Sequence, residues 1–300
     1  GVGSRFWPMS TTEHPKQFID VLGVGQTLLQ LTYDRFSGVV PSDNVWVVTN
    51  QKYVDLVHEQ LPEMPLNHIL SEPCRRNTAP CIAYVSWRIK KENPKANIVV
   101  SPSDHVVMDN TEFRRVVTNC MKFTAETDAI VTLGMKPTRP ETGYGYIQAD
   151  LSTASARNKE IYRVDHFREK PDLETAERYI RQNNFFWNAG IFIWSASTIV
   201  NAFRIYQPSV ARIFEQIMNV LGTSEEQRVI DEVYPECENI SVDYAIMERA
   251  EEIFVCPASF GWSDLGTWGS LVEQSKKDLY GNSLIGNDIR LYDSHNCIVH

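Results

Sequence analysis

Gly1-Val-Gly-Ser-Arg-Phe-Trp-Pro-Met-Ser10 opens the sequence and runs on through a short loop to His14-Pro-Lys-Gln-Phe18. Glycine tolerates a positive φ and leaves room for a ligand to lie against the backbone. Successive exposed amides in such a turn form a concave nest that binds an anion. Arg5 and Lys16 add two positive charges, which suit a ligand with several phosphate oxygens. The pattern indicates either a polyphosphate-binding loop or a glycine-rich turn with two solvated cations.

The full string is more specific than its glycines. It resembles the signature loop of the sugar-nucleotide pyrophosphorylases, nucleotidyltransferases that join a sugar 1-phosphate to a nucleoside triphosphate. Within that family, Trp7-Pro8, Ser10 and the Pro15-Lys-Gln-Phe18 segment are similar to the mannose-1-phosphate guanylyltransferase branch. The resemblance assigns nucleotide binding in this loop to Gly1, Gly3, Ser4, Arg5 and Lys16.

Both ends of the sequence depart from a complete family member. The family loop usually has another glycine and follows an apolar strand, whereas this sequence begins inside the motif. We expect the first strand to be missing, either by truncation of the N-terminus or for another reason. The sequence also ends abruptly at His300, which indicates truncation there too.

Composition and charge argue against several classes of protein. The 300 residues are 43% hydrophobic and 22% charged, ordinary values for a globular chain of one or two domains. The net charge of −9 argues against a nucleic-acid polymer as partner, because such proteins present a basic face. No apolar run approaches the roughly 18 residues of a membrane helix, and no signal peptide is visible. We therefore predict a protein that acts without a membrane.

The spacing of the cysteines and the absence of several known motifs argue against further classes of protein. The six cysteines are dispersed and form no C-x-x-C pair, which argues against a zinc site. Scattered cysteines in a chain of this size are typical of reduced thiols in a cytoplasmic protein. The sequence also lacks the P-loop, dinucleotide-binding and serine-hydrolase signatures.

Strand-like and helix-like segments alternate through the first half of the sequence. Short continuous apolar runs such as Val45-Trp-Val-Val48 are typical of strands buried on both faces. The alternation predicts an α/β fold with a mostly parallel sheet covered by helices. The resemblance implies a Rossmann-like sheet with helices on both faces, of the nucleotide-diphospho-sugar transferase type. The main predicted strands are 45–48, 68–70, 97–100, 129–133, 143–147, 161–167, 187–194 and 253–256, and the main predicted helices are 26–36, 51–61, 78–91, 111–124, 172–182 and 266–274. Asp172 and Ser195 are predicted to be the N-caps of the helices that follow them.

The domain prediction follows from these segments. We predict a nucleotidyltransferase catalytic domain over residues 1–275 and the start of a short β-rich C-terminal segment over 276–300. A homodimer that uses this β-like tail as its contact is left open.

A second candidate segment, Glu72-Pro-Cys-Arg-Arg-Asn-Thr-Ala-Pro80, follows a predicted strand and opens a helix. Free amides at the start of a helix attract an anion or a base edge, although adjacent arginines are usually solvated. The resemblance implies that Arg76, Asn77 and Thr78 belong to the guanine-nucleotide pocket. It also implies that Glu72 accepts hydrogen bonds from guanine.

Two aspartates are candidate ligands for Mg²⁺. Asp104 ends the segment after a buried strand, and Asp264 lies in Gly261-Trp-Ser-Asp-Leu-Gly-Thr-Trp268. Mg²⁺ is usually bound by one or two carboxylates together with phosphates and waters. Position alone favours a turn cap for Asp104, and spacing does not show that the two aspartates meet. The resemblance implies that they hold the metal together, and His105 is predicted to be a packing residue.

Phe167-Arg-Glu-Lys-Pro171 is similar to the second signature of the family. From the residues alone it is equally an exposed charged turn after a strand. The resemblance implies that Lys170 reaches the sugar phosphate and that Glu169 reaches a sugar hydroxyl. It assigns the other sugar contacts to Gly143, Tyr144, Gly145 and Asn188.

The resemblance implies a reaction in which GTP and mannose 1-phosphate give GDP-mannose and pyrophosphate, with Mg²⁺ as cofactor. Arg5 and Lys16 would hold the leaving pyrophosphate, and Lys170 would guide the attacking phosphate. One alternative is a pyrophosphorylase for another sugar or base. Another is a catalytically silent regulatory subunit that binds sugar nucleotides. The presence of Arg5, Lys16 and Lys170 together with Asp104 and Asp264 argues against this alternative.

Overall fold

The helices and strands of the chain follow the predicted alternation. The structure, a computed structural model, describes residues 6–286 and 288–300. A short π-helix, Asp243–Met247, and several 3-10 turns lie in the connections. The helices are α1 Leu28–Arg35, α2 Val54–Gln60, α3 Thr78–Glu92, α4 Asn110–Ala125, α5 Leu173–Ile180, α6 Ala196–Tyr206, α7 Pro208–Gln216, α8 Glu226–Val233 and α9 Trp268–Gln274. The strands are β1 Val47–Asn50, β2 Ile69–Glu72, β3 Asn97–Val100, β4 Val106–Val107, β5 Ile130–Met135, β6 Tyr146–Ala154, β7 Tyr162–Arg168, β8 Phe185–Ser195, β9 Ile253–Ala258, β10 Trp262–Ser263, β11 Ser283–Leu284 and β12 Ile298–Val299.

The chain folds as two compact units, each assembled from segments that are far apart in sequence. The first unit comprises Gly1–Ser37, Pro102–Asn110 and Phe260–His300. The second unit comprises Gly38–Ser101 and Thr111–Ser259. The boundary predicted at residue 275 separates a catalytic domain from a tail, and it stays a prediction.

The second unit is built on a six-stranded sheet with the order β3-β8-β5-β9-β7-β6. Parallel pairing joins β5 to β9, and it joins β1 to β2 in a separate two-stranded sheet. Strand β8 runs antiparallel to both β3 and β5, and β7 runs antiparallel to both β6 and β9. The predicted α/β class is confirmed. The central sheet is mixed rather than mostly parallel, because β8 enters between β3 and β5 in the opposite direction, and alternation along the chain does not encode strand order.

Helices cover both faces of this sheet. Successive residues of a strand point to opposite faces, and β9 shows this at Phe254 and Val255. Phe254 meets Phe123 of α4 edge to face, with ring centroids 5.4 Å apart. Val255 belongs instead to the core that α3, α6 and α7 form, where the ring centroids of Trp87 and Phe203 are 5.9 Å apart.

The first unit has a small core and two short ladders of its own. Strand β4 pairs with β10 in antiparallel fashion, and β11 pairs with β12 in parallel. The β11–β12 pair confirms the β structure predicted for the tail. The core cluster of this unit includes the buried apolar residues Phe6, Val21, Leu28, Val106, Leu265 and Leu271.

Side-chain caps begin two helices where the sequence indicated them. Asp172 accepts a hydrogen bond from the Thr175 amide at 2.8 Å before α5, and Ser195 accepts one from the Thr198 amide at 3.0 Å before α6. Each cap satisfies an amide that has no partner within its own helix. Both predicted N-caps are therefore confirmed.

In the part of the chain that the structure describes, no helix combines the length and the apolar character that a membrane span requires. All six cysteines are free, and Cys120, Cys237 and Cys256 are buried. Burial raises the pKa of the Cys237 thiol to about 12, so this thiol stays protonated at neutral pH.

We expect Ser195→Ala to lower the free energy of unfolding by about 1 kcal/mol, since it removes the N-cap of α6. Chemical denaturation of the protein, monitored by tryptophan fluorescence, measures this loss. Ser209→Ala is the matched control, because Ser209 is exposed in the adjoining helix α7 and caps nothing there. Equal effects of the two substitutions would contradict the capping role.

Candidate functional site

Lys16 is a buried cation in a 3-10 turn of the first unit, with 4% of its surface exposed. Its Nζ donates to the backbone oxygens of Asp264 at 2.7 Å and Leu265 at 3.2 Å, and lies 3.1 Å from Oδ2 of Asp104. A buried charge is costly unless it is paired and hydrogen-bonded, and these three oxygens provide both kinds of partner. Lys16 is therefore not a solvated surface cation, and it joins the segment of Asp104 to that of Asp264.

The β4–β10 ladder explains why these two segments meet. In its register Trp262 lies opposite Val107, and Ser263 lies opposite Val106. Asp104 precedes Val106 by two positions, and Asp264 directly follows Ser263. The antiparallel pairing thus brings the two candidate metal ligands to neighbouring positions, which spacing in the sequence did not reveal.

A tight turn fixes the Asp264 side chain. Its Oδ1 accepts a hydrogen bond from the Gly266 amide at 2.8 Å, and Leu265 between them has a φ of +45°. A Cβ at Gly266 would lie 2.6 Å from Oδ2 of Asp264. Glycine at this position therefore lets the carboxylate fold back against its own turn.

His105 packs beside the aspartate, in line with the packing role predicted for it. Its Nδ1 accepts from Nε1 of Trp262 at 3.3 Å, and its Nε2 is 3.7 Å from Oδ1 of Asp104. Burial lowers the pKa of His105. Burial alone would raise the pKa of the Asp104 carboxyl, but the neighbouring His105 and Lys16 lower it to about 2, and the carboxylate is ionised at neutral pH.

The donor set of the first unit suits Mg²⁺ better than a softer metal. Asp104 and Asp264 offer carboxylate oxygens, and Mg²⁺ takes one or two carboxylates and completes its shell with phosphates and waters. Within residues 6–286 and 288–300, no group of three or more His, Cys, Asp or Glu side chains is arranged to hold a metal by protein ligands alone. The binding of Mg²⁺ by these two aspartates stays a prediction.

The residues predicted at the very start of the chain lie outside the part that the structure describes. They are Gly1, Gly3, Ser4 and Arg5. Their assignment to nucleotide binding stays a prediction.

In the second unit, Glu72 ends β2 with its carboxylate largely buried. The hydroxyl of Tyr234 donates a hydrogen bond to its Oε1. Burial raises the pKa of Glu72 from 4.5 to about 7, against the opposing effect of the bond from Tyr234. The contact between Glu72 and guanine stays a prediction.

The segment after Glu72 leads into helix α3. Nη2 of Arg76 donates to the backbone oxygen of Pro235. Asn77 has a φ of +63° and caps the helix, with its Oδ1 accepting from the Thr78 amide at 2.9 Å. Oγ1 of Thr78 accepts from the Val242 amide at 2.9 Å. Arg76 and Thr78 are thus both held by the segment that follows α8.

The sugar signature places Glu169 against Gly145. A Cβ at Gly145 would lie 2.5 Å from Oε2 of Glu169, so only glycine leaves room for this carboxylate. Nζ of Lys170 is 3.2 Å from Oε1 of Glu169, while its side chain is 58% exposed. The Glu169 amide donates to Oε1 of Glu248 at 3.0 Å. Burial, with the nearby charge of Asp243, raises the pKa of Glu169 to about 7.

Asn188 of β8 lies next to this pair. Its amide donates to the backbone oxygen of Gly145 at 2.8 Å, and its side-chain Nδ2 donates to Oδ1 of Asp243 at 2.9 Å. Tyr144, in the loop before β6, packs edge to face on Trp187 with ring centroids 5.2 Å apart. Four of the predicted sugar-binding residues, Gly145, Glu169, Lys170 and Asn188, are therefore neighbours in space, and Tyr144 packs on the residue preceding Asn188. Gly143 precedes them in the same loop, where its amide donates to Oε1 of Glu141 at 3.0 Å.

The sequence prediction missed the segment that supports these side chains. Tyr234, Pro235, Val242, Asp243 and Glu248 all contact predicted site residues, and none was singled out. One signal was available at Asp243, because an acidic residue inside the run Ile240-Ser-Val-Asp-Tyr-Ala-Ile-Met247 stands among residues that are usually buried.

Comparison with known proteins gives a family for the chain. A profile described as nucleotidyl transferase matches residues 1–281. The chain is 37% identical over 305 residues to a mannose-1-phosphate guanylyltransferase of Salmonella montevideo, and 37% identical over 294 residues to one of Escherichia coli strain K12. These alignments cover 100% and 96% of the chain but 63% and 61% of the relatives. The chain thus spans less than two thirds of the length of these curated relatives.

Solved structures support the same fold. A crystal structure described as mannose-1-phosphate geranyltransferase from Thermus thermophilus is 31% identical, with a TM-score of 0.83 over 96% of this chain and 80% of that chain. A mannose-6-phosphate isomerase from Helicobacter pylori is 24% identical, with a TM-score of 0.70 over 84% of this chain and 95% of that chain. The second similarity concerns the fold alone.

We expect Glu72 to make stability depend on pH. Its pKa is raised in the folded state, so the folded protein holds the proton more tightly and loses stability as the pH rises from about 4.5 to about 7. Glu72→Gln keeps the acceptor for Tyr234 but does not titrate, so it should become more stable than the parent by ~1–3 kcal/mol above pH 7.

Urea denaturation of both proteins between pH 4.5 and 8 tests this expectation. Glu126→Gln, at an exposed glutamate, controls for the loss of one carboxylate at the surface. Profiles of Glu72→Gln and the parent that run parallel across the whole pH range would contradict it.

Proposed function

Because the chain belongs to the nucleotidyl transferase family, we propose that it transfers GMP from GTP to mannose 1-phosphate. The products are GDP-mannose and pyrophosphate. The relatives named mannose-1-phosphate guanylyltransferase support this choice of substrates, with identities of 37% along nearly the whole chain. The activity named for these relatives is thus proposed for this chain, which matches 63% and 61% of their length.

The observation that carries the proposal is the cluster around Lys16. One buried ammonium contacts Oδ2 of Asp104 and the backbone oxygen of Asp264, so two carboxylate-bearing segments converge on a cation. A site that handles several phosphate groups needs both a place for a divalent cation and fixed positive charge. Lys16, Asp104 and Asp264 are the candidates for these two requirements, and the family resemblance selects the same residues.

The chemistry requires little from a general base. The phosphate of mannose 1-phosphate is already an anionic nucleophile, and one of its oxygens attacks the α-phosphorus of GTP. A new bond forms between that oxygen and the α-phosphorus, the bond from the α-phosphorus to the bridging oxygen breaks, and pyrophosphate leaves with the electron pair. Catalysis is therefore mostly alignment of the two anions and neutralisation of their charge.

We assign Asp104 and Asp264 as the residues that would hold Mg²⁺. A metal held by these residues would supply neutralisation of the phosphate charge and polarisation of the phosphoryl group. Arg5 and the amides of Gly1, Gly3 and Ser4 are assigned to the departing pyrophosphate. Lys16, whose three donors are bonded to oxygens of Asp104, Asp264 and Leu265, contributes positive charge rather than a hydrogen bond.

The residues of the second unit recognise the base and the sugar. Glu72 accepts hydrogen bonds from guanine, and Arg76, Asn77 and Thr78 complete the nucleotide contacts. Lys170 contacts the phosphate of the sugar, which the 58% exposure of its side chain allows. The sugar hydroxyls are assigned to Gly143, Tyr144, Gly145, Glu169 and Asn188.

Two alternatives remain as outcomes of the test. The protein acts on another base or sugar, or it binds sugar nucleotides without catalysis as a regulatory subunit. The cytoplasmic location and the homodimer stay predictions.

The decisive experiment measures pyrophosphate release by the full-length protein from GTP, with and without mannose 1-phosphate and Mg²⁺. ATP, UTP, dTTP and glucose 1-phosphate run beside it. We expect release that requires GTP, mannose 1-phosphate and the metal together. Release with another pair would change the substrates, and binding of GDP-mannose without any release would support the regulatory alternative.

We expect Lys170→Asn to raise the KM for mannose 1-phosphate at least about tenfold and to change the KM for GTP less than twofold, since hydrogen bonds to charged groups contribute about 1.5–3 kcal/mol. Asparagine is chosen because Lys170 has a φ of +43°, which asparagine tolerates better than alanine. Steady-state kinetics with each substrate varied measures the split. Lys159→Asn, at an exposed lysine, is the control, and an equal loss for both substrates would contradict the assigned role.

A further inference from the structure

The side-chain amide of Asn188 is held in one orientation by its neighbours. Its Oδ1 accepts hydrogen bonds from the Gly190 amide at 3.1 Å and from Oγ1 of Thr132 at 2.9 Å. A backbone amide can only donate, so the contact with Gly190 identifies this atom as the oxygen rather than the nitrogen. The other end, Nδ2, therefore faces Asp243.

Asp243 holds that other end. Its Oδ1 accepts from Nδ2 of Asn188 at 2.9 Å. Asp243 is the first residue of the π-helix Asp243–Met247, whose following residues Ala245, Ile246 and Met247 are buried in the core. The packed turn therefore anchors Asp243 without the help of a ligand.

Counting donors and acceptors shows what Asn188 still offers. The amide has two acceptor lone pairs and two N–H donors. Gly190 uses one lone pair, the single hydroxyl proton of Thr132 is shared between the other lone pair and the backbone oxygen of Ile191, and Asp243 takes one N–H. One N–H of Asn188 therefore remains, and it suits the oxygen of a sugar hydroxyl or of a phosphate.

We propose that Asp243 is a positioning residue for sugar-phosphate recognition, which acts by fixing the Asn188 amide as a single hydrogen-bond donor. The inference rests on the proposed function, because it takes Asn188 to contact the sugar. Asp243 itself does not touch the substrate, and what it supplies is an acceptor atom at a fixed place. Any side chain that presents an acceptor of the same shape should therefore serve.

Two substitutions of Asp243 distinguish a positioning role from a role of its negative charge. In Asp243→Asn the new side chain keeps an oxygen that can accept from Nδ2 of Asn188, but the charge is gone. In Asp243→Ala the acceptor is lost, so Nδ2 of Asn188 is no longer held, although its Oδ1 keeps its bonds to Gly190 and Thr132. A direct or electrostatic role would make both substitutions harmful, whereas positioning makes only the second one harmful.

The test measures steady-state kinetics of the full-length protein with mannose 1-phosphate and GTP varied in turn. For Asp243→Ala we expect the KM for mannose 1-phosphate to rise about tenfold, the effect of one lost hydrogen bond of ~1–1.5 kcal/mol, with kcat and the KM for GTP within about twofold of the parent. For Asp243→Asn we expect all three constants within about threefold. Equal damage in both variants, or no change in Asp243→Ala, would overturn the proposal.

Glu238→Ala is the matched control. Oε2 of Glu238 accepts from Nε2 of Gln207 at 2.6 Å, so this variant breaks another amide–carboxylate bond in the same stretch of chain. Gln207 is not among the predicted site residues. A rise in the KM for mannose 1-phosphate as large as that of Asp243→Ala would assign the effect to general loosening and would overturn the proposal.

A second readout does not depend on activity. The two side-chain amide protons of Asn188 give separate signals in a ¹⁵N-correlated NMR spectrum, identified by their absence in Asn188→Asp. We expect Asp243→Ala to shift the hydrogen-bonded proton upfield and Asp243→Asn to restore most of the difference. If the parent releases no pyrophosphate with any substrate pair, the proposed function fails, and these spectra still decide whether Asp243 fixes the amide. Unchanged Asn188 signals in Asp243→Ala would overturn it.

Discussion

The need to satisfy polar side chains away from water governs the second unit of this protein. An unpaired buried donor or acceptor costs about 1–3 kcal/mol, so each polar side chain held for a ligand must first find a partner within the protein. A single stretch between α8 and β9 provides most of these partners. Its contacts are Tyr234 to Glu72, Pro235 to Arg76, Val242 to Thr78, Asp243 to Asn188 and Glu248 to Glu169. The residues proposed to recognise the base and those proposed to recognise the sugar therefore share one support.

Local patterns in the sequence were sufficient to predict most of the helices and strands. The apolar runs predicted β1, β3 and β5 to within a few residues, and the side chains of Asp172 and Ser195 marked where α5 and α6 begin. These features depend on residues that are close in sequence. The direction of β8 and the ladder of β4 with β10 depend on pairing across long separations. Strands of two residues carry no periodicity, so no local pattern could have found that ladder.

The residues of the candidate site also fall into those that local sequence reveals and those that it does not. Residues proposed to touch substrate stand in recognisable strings, such as the one that contains Glu169 and Lys170, and resemblance found them. Residues that hold those side chains in place lie mostly between α8 and β9, in a stretch without such a string, and only packing brings it next to them. Lys16 shows the limit most clearly, because a lysine in a polar loop is usually solvated, whereas here the oxygens around it compensate for its burial.

The π-helix that begins at Asp243 has a consequence for the support of Asn188. A π-turn is an α-helical turn with one residue more, and each added residue rotates the chain before it by about 100° relative to the chain after it. One residue more or fewer in this turn would therefore change the direction in which Asp243 projects relative to the apolar residues behind it. The support of Asn188 thus depends on the length of this turn as well as on the residue at its first position.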